Sequence, residues 1–149
     1  MTEPIAARVG IADLQAIVRR NHDFWGERDA SALHHASYVH EFGETSVLFR
    51  DDEGSIAGYL LGFVSPQRDG YIHVVAVRED ARGEGLARRL YEEFERLARA
   101  RGAVALKAIT SPENLGSQEF HRALGFSASE LAGYTAAGEA RIVFVRELG

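Results

Sequence analysis

Apolar and polar positions along the chain change period several times, and each change marks an element. "PIAARVG", Pro4 to Gly10, reads as a short first strand. In "IADLQAIVRRNHDF" the residues Leu14, Ile17 and Val18 recur at helical spacing, with Asp13 favourably placed in the first turn. "WGERD" breaks that helix, and "ASALHHASYVHEF" reads as a second one. "TSVLFRD" then alternates as a strand, with Thr45, Val47 and Phe49 on one face and Ser46, Leu48 and Arg50 on the other. "IAGYLLGFVS" reads as a buried strand whose Gly58 and Gly62 signal a bend or a close backbone approach. The turns "DDEGS" and "PQRDG" flank it, and "YIHVVAV" is the next strand.

From Gly85 the period lengthens. Leu86, Leu90, Phe94 and Leu97 line one helical face, and "ARARG" ends the helix with basic residues and a glycine. "AVALKAIT" is a strand, and "SPENLGSQEFHRALGF" a short helix ending at Gly125. "SASELAGY" and "RIVFVREL" close the chain as strands joined by a turn at "AAGEA". The order is β-α-α-β-β-β-α-β-α-β-β. Tight turns make the early strands antiparallel, whereas a helix joins "YIHVVAV" to "AVALKAIT" and makes that pair parallel. The expectation is one α/β domain over residues 1–149, an α+β mixed sheet that is mostly antiparallel.

Composition narrows the class. With 46% hydrophobic and 26% charged residues, the chain has the balance of a soluble globular domain able to bury a core without staples. It has no cysteine, which excludes disulfides, thiolate catalysis and cysteine-bound metals. "MTEPIAARVG" shows neither a basic n-region nor an apolar h-region, and "YLLGFV" is too short to span a bilayer. A cytoplasmic protein without a membrane partner is expected. A net charge of −5 argues against a nucleic-acid partner.

The helix that starts at Leu86 is preceded by "RGEG", and glycine is a poor helix former. A strand-to-helix turn with glycines leaves backbone N–H groups free at the positive end of the helix dipole, an anion site that a phosphate can approach closely. Arg82, Arg88 and Arg89 add positive charge there. The turn is no P-loop, because Leu86 and Ala87 follow Gly85 where Lys and Ser/Thr would stand. Nor is it a dinucleotide fingerprint, because Arg88 occupies the third glycine's place and "AVALKAIT" carries no acid.

The stretch Arg82, Gly83, Glu84, Gly85, Leu86, Ala87 resembles the cofactor signature Gln/Arg-x-x-Gly-x-Gly/Ala of the GNAT superfamily of acyl-CoA-dependent N-acyltransferases. "NLGSQEFHRALGF", with Asn114, Ser117, Phe120, His121, Gly125 and Phe126, resembles that family's second segment. The resemblance implies a GNAT-like fold whose central parallel pair splays to admit the cofactor arm. It implies acetyl-CoA as co-substrate, with its pyrophosphate on the turn from Arg82 to Arg88. The pantetheine arm would lie along Val75, Ala76 and Val77, with Asn114, Ser117, Phe120 and His121 on its other side. A backbone N–H of that strand would polarise the thioester carbonyl. The acceptor would be a small-molecule or peptide amine, no metal is needed, and homodimers are common in the family.

Amine attack on a thioester needs a proton acceptor, a donor for the carbonyl oxygen and, less stringently, one for the departing thiolate. At the position where relatives carry a tyrosine for the thiolate stands His121, one turn from Ser117 on the same helical face. Two readings stand side by side: His121, with Ser117, donates to the sulfur, or His121 only packs there. For the base, Tyr71 and His73 alternate with Val75 and Val77 and are expected on their side of the strand. Phe24, Trp25, His34 and Tyr38 are expected to line the acceptor pocket. The histidines at 22, 34, 35 and 40 lack the spacing of a metal site. An N-acetyltransferase is the leading reading; a non-catalytic acyl-CoA-binding sensor is the alternative.

Overall fold

The computed structural model describes residues 5–149; Pro4, placed by its sequence in the first strand, lies outside them. The strands are β1 (Ala7–Arg8), β2 (Val47–Arg50), β3 (Ile56–Val64), β4 (Asp69–Val77), β5 (Ala105–Thr110), β6 (Ser127–Leu131) and β7 (Arg141–Glu147). The helices are α1 (Ile11–Arg19), α2 (Asn21–Trp25), α3 (Ser37–His40), α4 (Leu86–Ala100) and α5 (Leu115–Ala123). The described residues form a seven-stranded sheet in the order β1-β2-β3-β4-β5-β7-β6, antiparallel except for the β4–β5 pair. This is the mixed sheet and strand order that the periodicities predict, with three short helices before β2 where two were expected. Among the described residues no helix is long and apolar enough to cross a membrane.

Each face of the sheet buries its own core. On one, Leu86, Leu90, Tyr91, Phe94 and Leu97 of α4 pack with Leu60, Ile72, Leu106 and Phe144. Gly62 is the close approach foreseen there: a Cβ would lie 2.7 Å from the Phe94 ring. On the other face, Leu14 and Ile17 of α1 and Phe24 of α2 pack on Leu48, Tyr59, Leu61, Val74 and Ala76.

The predicted second helix is different in fact. "ASALHHASYVHEF" forms a 3₁₀ turn at Ser31–Leu33 and only the short α3. The reason is tertiary: the Leu33 carbonyl, which a continuing helix would need, accepts from His73 Nε2 at 2.9 Å. The side chain of His34 likewise turns back, its Nδ1 bonding the Ala30 carbonyl at 2.7 Å.

Register places the site. β3 and β4 pair regularly from Gly58↔Val77 to Leu61↔Val74, then Gly62 pairs with Ile72, so His73 is an extra residue in β4, a bulge. β4 pairs with β5 only from Asp69↔Ala105 to Ile72↔Ala108. Beyond the bulge the two parallel strands part. The Arg78 N–H donates to the Ala57 carbonyl. Counting back by twos, Val74 and Ala76 direct their backbone groups to β3, and Val75 and Val77 direct theirs to the open edge.

Candidate active site

The site begins where α4 begins. Gly83 and Gly85 sit at φ +84° and +81°, the left-handed region that glycine occupies without strain. No side chain caps α4, and the Arg89 N–H bonds the Gly85 carbonyl at 3.1 Å. The N–H groups of Leu86, Ala87 and Arg88 therefore face outward at the positive end of a fifteen-residue helix. A Cβ on Gly83 or Gly85 would meet no protein atom within 4 Å, so the space over the turn is open. Glu84 is exposed and does not line the cleft; it contributes backbone alone. Arg82 is a brace: its Nε donates to the Val77 carbonyl at 3.0 Å and its Nη2 to the Phe24 carbonyl at 2.9 Å, tying β4 to α2.

From this turn a cleft of about 1000 Å³ runs along Val75, Ala76 and Val77, with Asn114, Ser117, Phe120 and His121 of the α5 segment opposite. Asn114 Oδ1 caps α5 by accepting from the Ser117 N–H at 3.1 Å, which leaves its Nδ2 as the donor it can offer the cleft. A second cavity of about 440 Å³ opens where β4 and β5 part, and it shares Trp25, Val75, Asn114, Ser117 and His121 with the first. Those shared residues mark where a ligand in one would meet a ligand in the other.

His73 and Tyr71 line this second cavity, but not on the expected side. The bulge breaks the alternation. Tyr71 lies opposite Phe63 with ring centroids 5.5 Å apart, on the face of α1–α3, whereas Val75 and Val77 pack toward α4. His73 stacks on Tyr38 at 4.5 Å and donates Nε2–H to Leu33, so its Nδ1 keeps a lone pair. Burial lowers its pKa, the Leu33 bond opposes, and nearby His34 and His35 lower it further; neutral imidazole is the favoured form. Tyr71 is pushed up to about 12, chiefly by burial and then by Tyr134, so it is neutral and no base.

His121 is 4% exposed and stacks on Phe144 at 4.0 Å. Its Nδ1 lies 2.8 Å from the Ser117 carbonyl, an obligate acceptor, so Nδ1 carries the proton. Its Nε2, 2.7 Å from the Tyr91 hydroxyl, then accepts from it. Burial lowers the His121 pKa and raises that of Tyr91. Both ring nitrogens are engaged inside the protein, so of the two readings for His121 the geometry offers packing and positioning, not direct donation to a sulfur. Ser117 Oγ lies 3.3 Å from Nδ1, on the donor side, which leaves its own O–H for the cleft.

Of the residues expected around the acceptor, Trp25 lines both cavities. Phe24 is buried and lines the larger cleft. His34 and Tyr38 stand behind the wall: Tyr38 backs His73, and His34 Nε2 accepts from the Tyr59 hydroxyl at 2.5 Å, which in turn accepts from Trp25 Nε1–H at 2.9 Å. Sequence reading missed Tyr91, Arg28, Thr110 and Arg141, all of which line the smaller cavity. Tyr91 carried a signal, a hydroxyl beside the apolar stripe of α4; the others lie in loops or at strand ends. Among the described residues, no group of three or more His, Cys, Asp or Glu is placed to hold a metal ion.

Comparison with known proteins agrees with this geometry. Residues 11–126 match the acetyltransferase (GNAT) family. The chain is 35% identical over 91 residues to L-2,4-diaminobutyric acid acetyltransferase of Streptomyces coelicolor, covering 59% of this chain and 54% of that enzyme. It spans about half the length of the curated relatives it matches. Among solved structures, Ard1 from Thermoplasma volcanium superposes with a TM-score of 0.82 at 19% identity, covering 99% of each chain. The acetyltransferase yncA from Salmonella typhimurium, solved with acetyl-CoA, gives 0.75 at 17% identity over 99% of this chain and 95% of that one.

Proposed function

The chain belongs to the acetyltransferase (GNAT) family, and from that premise we propose that it transfers the acetyl group of acetyl-CoA to a small primary amine by direct attack on the thioester. The observation that carries the reading is the open edge of β4. Strand backbone inside a sheet is ordinarily paired on both sides, yet past Ile72 the β5 side of β4 is open, and Val75 and Val77 face a gap that leads from the bare N-terminus of α4 to His73, with Arg82 Nε bonded to the Val77 carbonyl. An extended, amide-bearing arm with phosphates at one end fits both features. The structural neighbour solved with acetyl-CoA and the acetylating relatives support the same ligand.

When bound, acetyl-CoA supplies the electrophilic thioester. The N–H groups of Leu86, Ala87 and Arg88 hold its phosphates, and Val75 pairs with its arm and donates to the carbonyl oxygen as charge develops there. His73 Nδ1 accepts the amine proton through a water. An amine with a pKa near 10.4 must lose a proton before it attacks, and a histidine kept neutral by burial is suited to take it. The Ser117 hydroxyl stabilises the departing thiolate. A thiol with a pKa of about 8.5 needs little more than a hydrogen bond to leave at neutral pH. His121 holds Ser117 and Tyr91 in place.

The test combines binding and turnover. Acetyl-CoA at about 100 times its Kd adds about 2.7 kcal/mol of stability, a rise in Tm on the order of 5–10 °C for a chain of this size. Free-thiol release over a panel of primary amines then reads transfer. Binding without turnover of any amine would establish the non-catalytic sensor instead, and no shift in Tm would overturn both.

A further inference from the structure

The smaller cavity is chemically one-sided. Among the described residues lining it are two guanidinium groups, Arg28 and Arg141, and no carboxylate. They come from opposite ends of the chain, Arg28 from the loop after α2 and Arg141 from the start of β7. Arg28 lies over the Trp25 ring at 5.5 Å. That ring is fixed in turn: Trp25 donates to Tyr59, Tyr59 to His34, and His34 to the Ala30 carbonyl. Arg28 is thus exposed but oriented by a buried network. Arg141 donates Nη1–H to the Ala140 carbonyl at 2.8 Å and pairs at 3.8 Å with the exposed Glu139. The hydroxyls of Thr110, Ser111 and Thr135 complete a polar wall facing His73.

Resting on the transfer reading above, we propose that this cavity takes an amine that also carries a carboxylate, an amino-acid-type acceptor, with Arg28 and Arg141 holding the carboxylate and His73 facing the amine. The volume of about 440 Å³ suits a small molecule. Guanidinium groups match carboxylates in geometry as well as charge. The same two cations act on the nucleophile: positive charge nearby disfavours the ammonium form and lowers the proton's hold on the attacking amine. A diamine or polyamine without a carboxylate brings cation to cation and leaves both guanidinium groups without an anion to hold.

The experiment sets each amino acid against its decarboxylated counterpart: L-2,4-diaminobutyrate against 1,3-diaminopropane, L-ornithine against putrescine, L-lysine against cadaverine. Free-thiol release gives kcat and KM, and calorimetric titration of the same compounds onto the protein saturated with CoA gives binding without turnover. The expected result is a preference of about 10²-fold in kcat/KM for at least one carboxylate-bearing member, carried mainly by KM. Arg28→Met and Arg141→Met, each checked for an unchanged acetyl-CoA shift in Tm, should shrink that preference to under about 10-fold, chiefly by raising the KM of the carboxylate-bearing member. Equal or better turnover of the diamines overturns the carboxylate site but leaves acetyl transfer standing. Carboxylate-dependent binding that both variants abolish, with no turnover of any amine, supports the site and overturns the transfer reading. Absence of both binding and turnover for every carboxylate-bearing amine overturns the proposal outright.

Discussion

Replacing His121 by alanine separates a proton donor from a positioning residue, because the two roles fail in different observables. The ring is 4% exposed, lies flat on Phe144 at 4.0 Å, and holds hydrogen bonds of 2.8 Å to the Ser117 carbonyl and 2.7 Å to Tyr91. Truncating a buried ring to alanine costs about 3–5 kcal/mol in typical cores. Leaving the buried Tyr91 hydroxyl without its acceptor costs about 1–3 kcal/mol more. Partial collapse and entry of a water offset some of this, so about 4 kcal/mol is the working figure. A chain of this size loses 2–4 °C of Tm per kcal/mol, which gives a fall of roughly 8–16 °C by calorimetry. Tyr91→Phe keeps the ring and orphans only Nε2, so its fall should be smaller, about 1–3 kcal/mol. Activity is then assayed well below the new Tm, where the folded fraction dominates. A His121→Ala protein that keeps its Tm to within about 2 °C, yet loses kcat by about 10² or more at unchanged acetyl-CoA KM, would refute this reasoning and make His121 the direct donor.

Ser117→Ala should lower kcat about tenfold, the worth of one hydrogen bond to a charged group, with Tm and the KM for acetyl-CoA nearly unchanged; steady-state thiol release checks it. For His73→Ala we expect a loss of about 10²–10⁴-fold in kcat/KM, and removal of an acid limb that lies below pH 6.5 because burial lowers the pKa of His73. His34 and His121 are buried with lowered pKa values, so the unfolded chain binds more protons than the folded one just below pH 6.5. Their stabilising contribution is complete above pH 6.5 and is lost as pH falls toward the folded values, with a slope of up to about 2.7 kcal/mol per pH unit for two such groups; urea midpoints against pH measure it. Gly85→Val puts a branched residue at φ +81°, which costs about 1–2 kcal/mol and distorts the turn; the protein should stay folded and lose its acetyl-CoA shift in Tm.

The sequence made the sheet and its long helix legible because their signals are local and periodic. The stripe Leu86, Leu90, Phe94, Leu97 needs no knowledge of what lies opposite, and these residues are buried as the spacing requires. The glycine turn was legible for the same reason, since both its glycines answer to a local φ. The region from Ala30 to Phe42 was not, because its backbone is decided by tertiary partners: His73 takes the Leu33 carbonyl from forty residues away, and no propensity records that. Likewise His121 stood on the predicted face of its helix, but its role depends on Tyr91, a residue of another helix. Arg28 and Arg141 are 113 positions apart, and only the fold makes them neighbours of one cavity.

The misreading of β4 has a more specific cause. Strict alternation put His73 with Val75 because a period of two admits no extra residue. The structure inserts one at His73. That single irregularity turns Tyr71 and His73 onto the face of α1–α3, and β4 leaves β5 at the same place, past Ile72, so Val75 and Val77 carry backbone groups that no strand pairs. Had the alternation held, His73 would point with Val75 toward α4, where Tyr91 and Phe94 already fill the space. Had the pairing with β5 also held to Val77, the edge on which the acyl carrier is proposed to lie would be closed. The proposed base and the proposed cofactor gap therefore depend on two departures at one place, the bulge at His73 and the parting from β5 past Ile72, and a regular β4 would close that edge.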